Sequence, residues 1–209
     1  MIMPPDEHTY QGSAICNPFH RCHRYLVLIL ICFLSFGSYF CNDNPAALTD
    51  YIVKDMDVSM EEYMTLYSWY SYPNIILSLI GGVLIDRVLG IRLGAIIFSS
   101  FCVLGQIVFA SGGFFSTPYG FDVMQLGRFI FGIGGESLTV CQNAFSVQWF
   151  KGKELNFVFG LQLSISRLGS TFNMNSMSRI YLKVCEMFPH NLPRVNLSFT
   201  LYFGKYYLT

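Results

Sequence analysis

Apolar positions in this chain come in long unbroken blocks, not in the narrow stripes of a soluble helix. No Asp, Glu, Lys or Arg occurs from Tyr63 to Ile85, nor from Leu93 to Phe121. Runs of more than about 18 apolar residues without charge read as transmembrane helices. The pattern predicts five membrane segments, at about 25–41, 63–85, 93–115, 119–149 and 155–182. The fourth and fifth are long and carry isolated charges, so they are expected to tilt or to extend beyond the bilayer. The first segment does not read as a cleaved signal, because its end, Tyr39-Phe40-Cys41-Asn42, lacks the small-x-small site. Beyond Leu182 the pattern fails. Residues 183–209 contain Pro189, Pro193 and Lys205, and only Val195 to Phe203 is apolar. Such a stretch is too short to cross about 30 Å as a helix, so 183–209 is expected to be a divergent, truncated sixth segment.

Composition agrees with the blocks. Of the 209 residues, 53% are hydrophobic and 12% charged, against about 25% charged in an ordinary soluble domain. The formal net charge is zero, which argues against a nucleic-acid binder. High hydrophobicity at low net charge excludes disorder. The expected fold class is therefore an all-α integral membrane protein. The seven cysteines are scattered and form no disulfide framework. Cys16, His20, Cys22 and His23 are clustered, but their spacing fits no common zinc site. No G-x-S-x-G elbow, His-Glu-x-x-His pair or nucleophile–base set appears, so neither an enzyme nor a cofactor or metal is expected.

Loop charges set orientation, since Lys and Arg accumulate on the cytosolic side. Arg21 and Arg24 precede the first segment, Arg87 and Arg92 separate the second from the third, and Lys151 and Lys153 separate the fourth from the fifth. Loop 42–62 is acidic, with Asp43, Asp50, Asp55, Asp57, Glu61 and Glu62 against Lys54, and residues 112–118 carry no charge. The alternation predicts a cytosolic N-terminal tail over residues 1–24, a transporter bundle over 25–182, and residues after Leu182 on the far side. Asn196-Leu197-Ser198 is a glycosylation sequon on that side.

Two stretches carry chemistry. The turn Gly81-Gly82-Val83-Leu84-Ile85-Asp86-Arg87-Val88-Leu89-Gly90-Ile91-Arg92 places Gly82 and Asp86 on one helix face. A glycine there permits close helix approach, and Arg87 and Arg92 are placed to pair with Asp86. Read alone, it is either a charged turn or a latch. The stretch Gly127-Arg128-Phe129-Ile130-Phe131-Gly132-Ile133-Gly134-Gly135-Glu136-Ser137-Leu138 is rich in glycine. That costs about 1 kcal/mol per residue in a soluble helix, and close contact in lipid can offset it. A dinucleotide fingerprint would need a preceding strand and G-x-G-x-x-G spacing, which are missing. Glu136 and Arg167 fall near the middle of two antiparallel segments, where each charge costs about 2.5–3.5 kcal/mol on insertion scales. They mark a substrate cavity or else a buried pair that locks two helices. Arg128 is either a structural arginine of the fourth segment or a residue snorkelling to the interface, and Arg179 reads as snorkelling.

The turn at Gly81–Arg92 is similar to the signature loop of the major facilitator superfamily, G-x-x-x-D-R-x-x-G-x-R, a cytosolic latch between helix bundles. Further blocks resemble the lysosomal dipeptide uniporters of that superfamily. They are Phe36-Gly37-Ser38-Tyr39-Phe40-Cys41, Asp43-Asn44-Pro45-Ala46-Ala47-Leu48, Gly127–Leu138, Trp149-Phe150-Lys151-Gly152-Lys153-Glu154-Leu155, Phe159-Gly160-Leu161-Gln162-Leu163-Ser164 and Arg167-Leu168-Gly169-Ser170-Thr171-Phe172-Asn173-Met174-Asn175. The similarity covers roughly residues 21–182. It implies a twelve-helix transporter of two six-helix halves that rock about a central site, of which this chain supplies the N-terminal part, an incomplete half. It further implies a lysosomal, multi-pass location, dipeptide substrates carrying Lys, Arg or His, and a glycosylated lysosomal membrane protein as accessory subunit. On this resemblance Gly82, Asp86, Arg87, Gly90 and Arg92 form the gating loop and Arg128 is the helix-four arginine. Of the site's own chemistry, Glu136 suits a substrate ammonium and Arg167 a carboxylate, the two partly neutralising each other in the empty site. The competing expectation is a truncated, non-transporting fragment acting as scaffold or regulator.

Overall fold

The computed structural model describes residues 21–206, apart from 86, 88–89 and 117–118. The described residues form α-helices and one short 3-10 turn, with no strand. The helices are α1 (Arg21–Asn42), α2 (Asn44–Ala47), α3 (Thr49–Asp55), α4 (Met60–Leu84), α5 (Ile91–Ser111), α6 (Tyr119–Trp149), α7 (Lys153–Met187) and α8 (Pro193–Tyr206), and the 3-10 turn is Gly112–Phe114. Local chemistry explains the boundaries. Ser59 and Glu62 form a capping box at the start of α4: the Ser59 backbone N–H donates to Glu62 Oε2 at 2.7 Å, and the Glu62 N–H returns a bond to Ser59 Oγ at 3.2 Å. Gly90 (φ 70) and Gly152 (φ 61) start α5 and α7 in backbone conformations that L side chains rarely adopt. Pro193, at the first position of α8, lacks only an N–H that would have no helical partner there. By length and hydropathy, Arg24–Asn42 and Ile91–Phe114 qualify as membrane-crossing.

Antiparallel α5 and α6 pack backbone to backbone through a reciprocal pair of glycines. A Cβ on Gly105 would strike the backbone of Phe131, and one on Gly127 the backbone of Phe109. Gly134 sits on Phe98 and Cys102 of α5, and Gly132 on the Tyr70 carbonyl of α4. The cluster of glycines in α6 is thus a contact surface, used toward two neighbours at once. The mid-helix Pro73 of α4 lies against the same Gly132, with its Cγ 3.0 Å from where a Cβ would stand.

Helix α1 packs along α7 in parallel, from the Arg24–Glu154 ion pair (2.7 Å) to the Asn173 amide, which donates to the Phe40 carbonyl at 2.7 Å. It also meets α6 antiparallel, through Ser35–Gln142 at one level and Asn42–Arg128 at another. Helices α6 and α7 also meet directly, through Gln142, Ser146 and Gln162. Arg24, Gly90, Gly152 and Lys153 therefore gather at one end of the bundle, and α2 and α3 at the other.

That second end is more ordered than an acidic loop would require. Leu48, Ile52 and Met56 are fully buried among Tyr63, Leu66, Phe109, Met124, Met177, Leu197 and Leu201. Ser178 Oγ donates to the Ala47 carbonyl at 3.1 Å, and the Tyr181 hydroxyl to Asp55 Oδ2 at 2.5 Å. The stretch expected to be a divergent tail folds as α8. It crosses the 3-10 turn, with Phe199 against Phe114 (5.7 Å) and the Tyr202 hydroxyl on the Ile107 carbonyl (3.3 Å). Its 14 described residues span about 21 Å at 1.5 Å per residue. The Asn196 sequon faces inward: Asn196 is 4% exposed, Ser198 is buried, and Asn196 Nδ2 donates to the Phe188 carbonyl at 3.3 Å.

Candidate functional site

Along α1 the polar residues fall at Ser35, Ser38, Tyr39 and Asn42, spacings of three and four that put them on one helix face. This face meets α6. Ser35 Oγ donates to Gln142 Oε1 at 3.0 Å, and Gln162 of α7 reaches the same oxygen at 3.4 Å. Ser146 adds a bond to Gln162 Oε1 at 3.4 Å. One turn further along α1, the wall opens into a cavity of about 190 Å³ lined by Ser38, Tyr39, Asn42, Tyr70, Phe131, Gly135, Glu136 and Thr139.

Glu136 is the only charged residue of that lining. Its Oε1 accepts a long bond from the Tyr70 hydroxyl at 3.4 Å, and the side chain is exposed to the opening. The other polar groups are hydroxyls and the Asn42 amide, whose Oδ1 is a buried acceptor without a partner among the described residues. A carboxylate among hydroxyls that can each accept a hydrogen bond suits an ammonium group.

Arg167 on α7 is also exposed, and its guanidinium lies 6.0 Å from the centroid of the Tyr39 ring. Glu136 and Arg167 are on helices that meet through Gln142, Ser146 and Gln162. The expected pairing of the two charges is not made, because Arg24–Glu154 is the one ion pair within 4.0 Å among the described residues. Tyr39 neighbours both, lining the cavity of one and carrying the other on its face.

Arg128 is 1% exposed, so the snorkelling alternative fails. Its Nη1 donates to the Asn42 carbonyl at 3.2 Å. Four rings surround its guanidinium, those of Tyr67 (5.8 Å), Tyr70 (5.1 Å), Phe109 (5.9 Å) and Phe131 (5.6 Å). Aromatic faces offset part of the cost of burying the cation, and the C-terminal carbonyl of α1 adds the negative end of a helix dipole. Arg128 thereby closes one side of the Glu136 cavity through Tyr70.

The signature loop is only partly visible. Asp86 lies outside the described residues. Arg87 and Arg92 are exposed. Gly90 donates its N–H to the Ile85 carbonyl at 2.8 Å and holds the positive φ that turns the chain into α5. No described atom lies within 4 Å of a Cβ built on Gly82, so the close approach expected there is not made inside this bundle. Sequence reasoning missed Tyr39 and Asn42, although the polar stripe of α1 was a signal available for both. Among the described residues, no group of His, Cys, Asp and Glu is placed to hold a metal.

The sequence profile of the Major Facilitator Superfamily matches residues 28–174. The chain belongs to this superfamily. It is 61% identical over 172 residues to the lysosomal dipeptide transporter MFSD1 of Bos taurus, covering 82% of this chain and 36% of that protein. The human protein of the same name is 56% identical over 191 residues, covering 91% of this chain and 40% of that protein. The Danio rerio protein is 58% identical over 172 residues, with 82% and 37% covered. The chain thus spans between 36% and 40% of the length of these curated relatives. As a superfamily member it is an all-helical integral membrane protein, and the family is one of transporters rather than enzymes.

Proposed function

We propose that the chain is the N-terminal part of a facilitative dipeptide transporter of the lysosomal membrane, moving dipeptides with Lys, Arg or His from lumen to cytosol by alternating access. Its Arg24, Arg87, Arg92, Lys151 and Lys153 end is cytosolic, and its α2–α3 end luminal. The likeness to proteins named lysosomal dipeptide transporter supports the substrate class and the membrane. Asp86, Arg87 and Arg92 act as the cytosolic latch against the other half of the transporter, and a glycosylated lysosomal membrane protein serves as accessory subunit.

The observation that supports this reading is a pair of opposite charges, not salt-bridged to each other, that both neighbour Tyr39. A zwitterionic dipeptide has its ammonium and carboxylate about 5–7 Å apart. Glu136, in its acceptor-rich cavity, takes the ammonium. Arg167 takes the carboxylate through a bidentate fork. The substrate must replace only a long hydroxyl contact and a ring contact, so little is lost on binding. In a chain completed to the length of the relatives, Glu136→Gln and Arg167→Lys are each expected to abolish dipeptide-induced thermal stabilisation while the unliganded melting temperature stays put. Arg167→Lys keeps the charge and removes the fork. Stabilisation that survives both substitutions shows the pair to be structural.

A further inference from the structure

Opposite charges in a low-dielectric bundle attract strongly. Glu136 and Arg167 both face the open side, yet no ion pair joins them. The obstacle is Tyr39. It sits on α1, which touches both α6 and α7, and it is half-buried. Its side chain lines the Glu136 cavity, and its ring lies under the Arg167 guanidinium. We propose that Tyr39 is a positioning residue, a spacer that keeps Glu136 and Arg167 from collapsing into a salt bridge and so leaves both charges free for a zwitterion. The functional half of this statement rests on the assignment of Glu136 and Arg167 to the substrate.

The energetic logic is one of exchangeable partners. A bidentate Arg–carboxylate pair is among the strong contacts in proteins, and a substrate would have to break it before making its own bonds. A ring contact at 6.0 Å and a hydroxyl contact at 3.4 Å are at the weak end of their ranges. They hold the two side chains in place at small cost to later binding. The ring face is essential to the arrangement and the Tyr39 hydroxyl is secondary, so phenylalanine should replace Tyr39 and a small residue should not.

Two measurements separate the spacing from its use. The first needs no substrate. In the 209-residue chain in detergent, the melting-temperature changes of Glu136→Gln and Arg167→Gln are expected to add when combined. In a Tyr39→Ala background the same two changes should become non-additive by about 2–4 °C, because the freed charges now pair. Additivity in both backgrounds overturns the spacer. The second is dipeptide uptake by a chain completed to the relatives' length. Tyr39→Phe should transport with unaltered KM, while Tyr39→Ala raises KM by about tenfold with little change in kcat. An unchanged KM in Tyr39→Ala overturns the functional role. Where Tyr39→Ala does not fold, Tyr39→Leu fills the volume without a π face and gives the same two readouts. If uptake survives Glu136→Gln and Arg167→Lys, the assignment of the charges to the substrate fails, and the thermal cycle still decides whether Tyr39 keeps them apart.

Discussion

Helix α6 has two unlike sides. Toward α5 it is smooth, with Gly105 and Gly127 bringing the two backbones together. Toward α1 it is polar, with Gln142 held by Ser35 and Gln162, then the Glu136 cavity, then Arg128 on the Asn42 carbonyl. On the first side the glycines leave no room for even an added Cβ. The second is held by hydrogen bonds, which leave room beside them. Close packing fixes the scaffold, and the adjacent polar seam provides the opening in which charged groups face a ligand.

The comparison is broken most severely on the glycine side. Gly127→Val places a branched side chain into the Phe109 backbone and should cost about 3 kcal/mol or more, read as lost melting temperature in detergent. Gly160→Ala in α7 meets nothing within 4 Å, and should instead gain about 0.5–1 kcal/mol from helix propensity alone. If the two substitutions behave alike, the glycines do not carry the interface.

The polar side should yield less. Gln142→Leu removes the acceptor shared by Ser35 and Gln162, and should cost about 1–2 kcal/mol in the same melting assay. A neutral result would mean that α1 is held to α6 by apolar contact and that the hydrogen bonds are incidental.

The smallest expected effects lie at the α2–α3 end and depend on pH. Burial pushes the Asp55 carboxyl above its ordinary 3.8, against the opposing pull of the Tyr181 hydroxyl and of Lys54. A raised folded value means that Asp55 stabilises the fold in acid and that this contribution is lost as pH rises through the folded value. Asp55→Asn should therefore raise the melting temperature at neutral pH and leave it nearly unchanged in strong acid. Glu62 runs the other way. The Ser59 backbone N–H and hydroxyl hold its carboxyl below its ordinary 4.5, so its contribution is present above that value and lost as pH falls through the lowered one. Glu62→Gln should lower stability at neutral pH only. Equal pH dependence in both variants would contradict the geometry of this end.

The helices of the bundle were legible because charge-free apolar blocks have one cheap conformation in lipid, in which every backbone group is satisfied internally. The close-packing role of the glycines in α6 was legible for the same reason, since a helix so rich in glycine needs a neighbour. The neighbours themselves were not. Nothing local in the residues around Glu136 and Arg167 says that α1 packs against both of their helices, and loop charges do not encode lateral order. Helices α2 and α3 were hidden because seven acidic and basic positions dominate the reading of 42–62, while Leu48, Ile52 and Met56 form a short apolar face that only tertiary burial makes meaningful. Helix α8 was hidden because Pro193, Arg194, Asn196 and Lys205 interrupt its apolar pattern, yet it folds by lying on the 3-10 turn and on α7.

Asn196 gives the fold a clock. A side-chain amide that is 4% exposed and bonded to the Phe188 carbonyl has no room for an oligosaccharide, so a sugar on Asn196 and a seated α8 exclude one another. Any transferase acting there would have to arrive before the helix settles, and a chain tagged in that interval would be locked out of its final shape. A sugar found at this position would therefore mark a chain that was modified before α8 was seated.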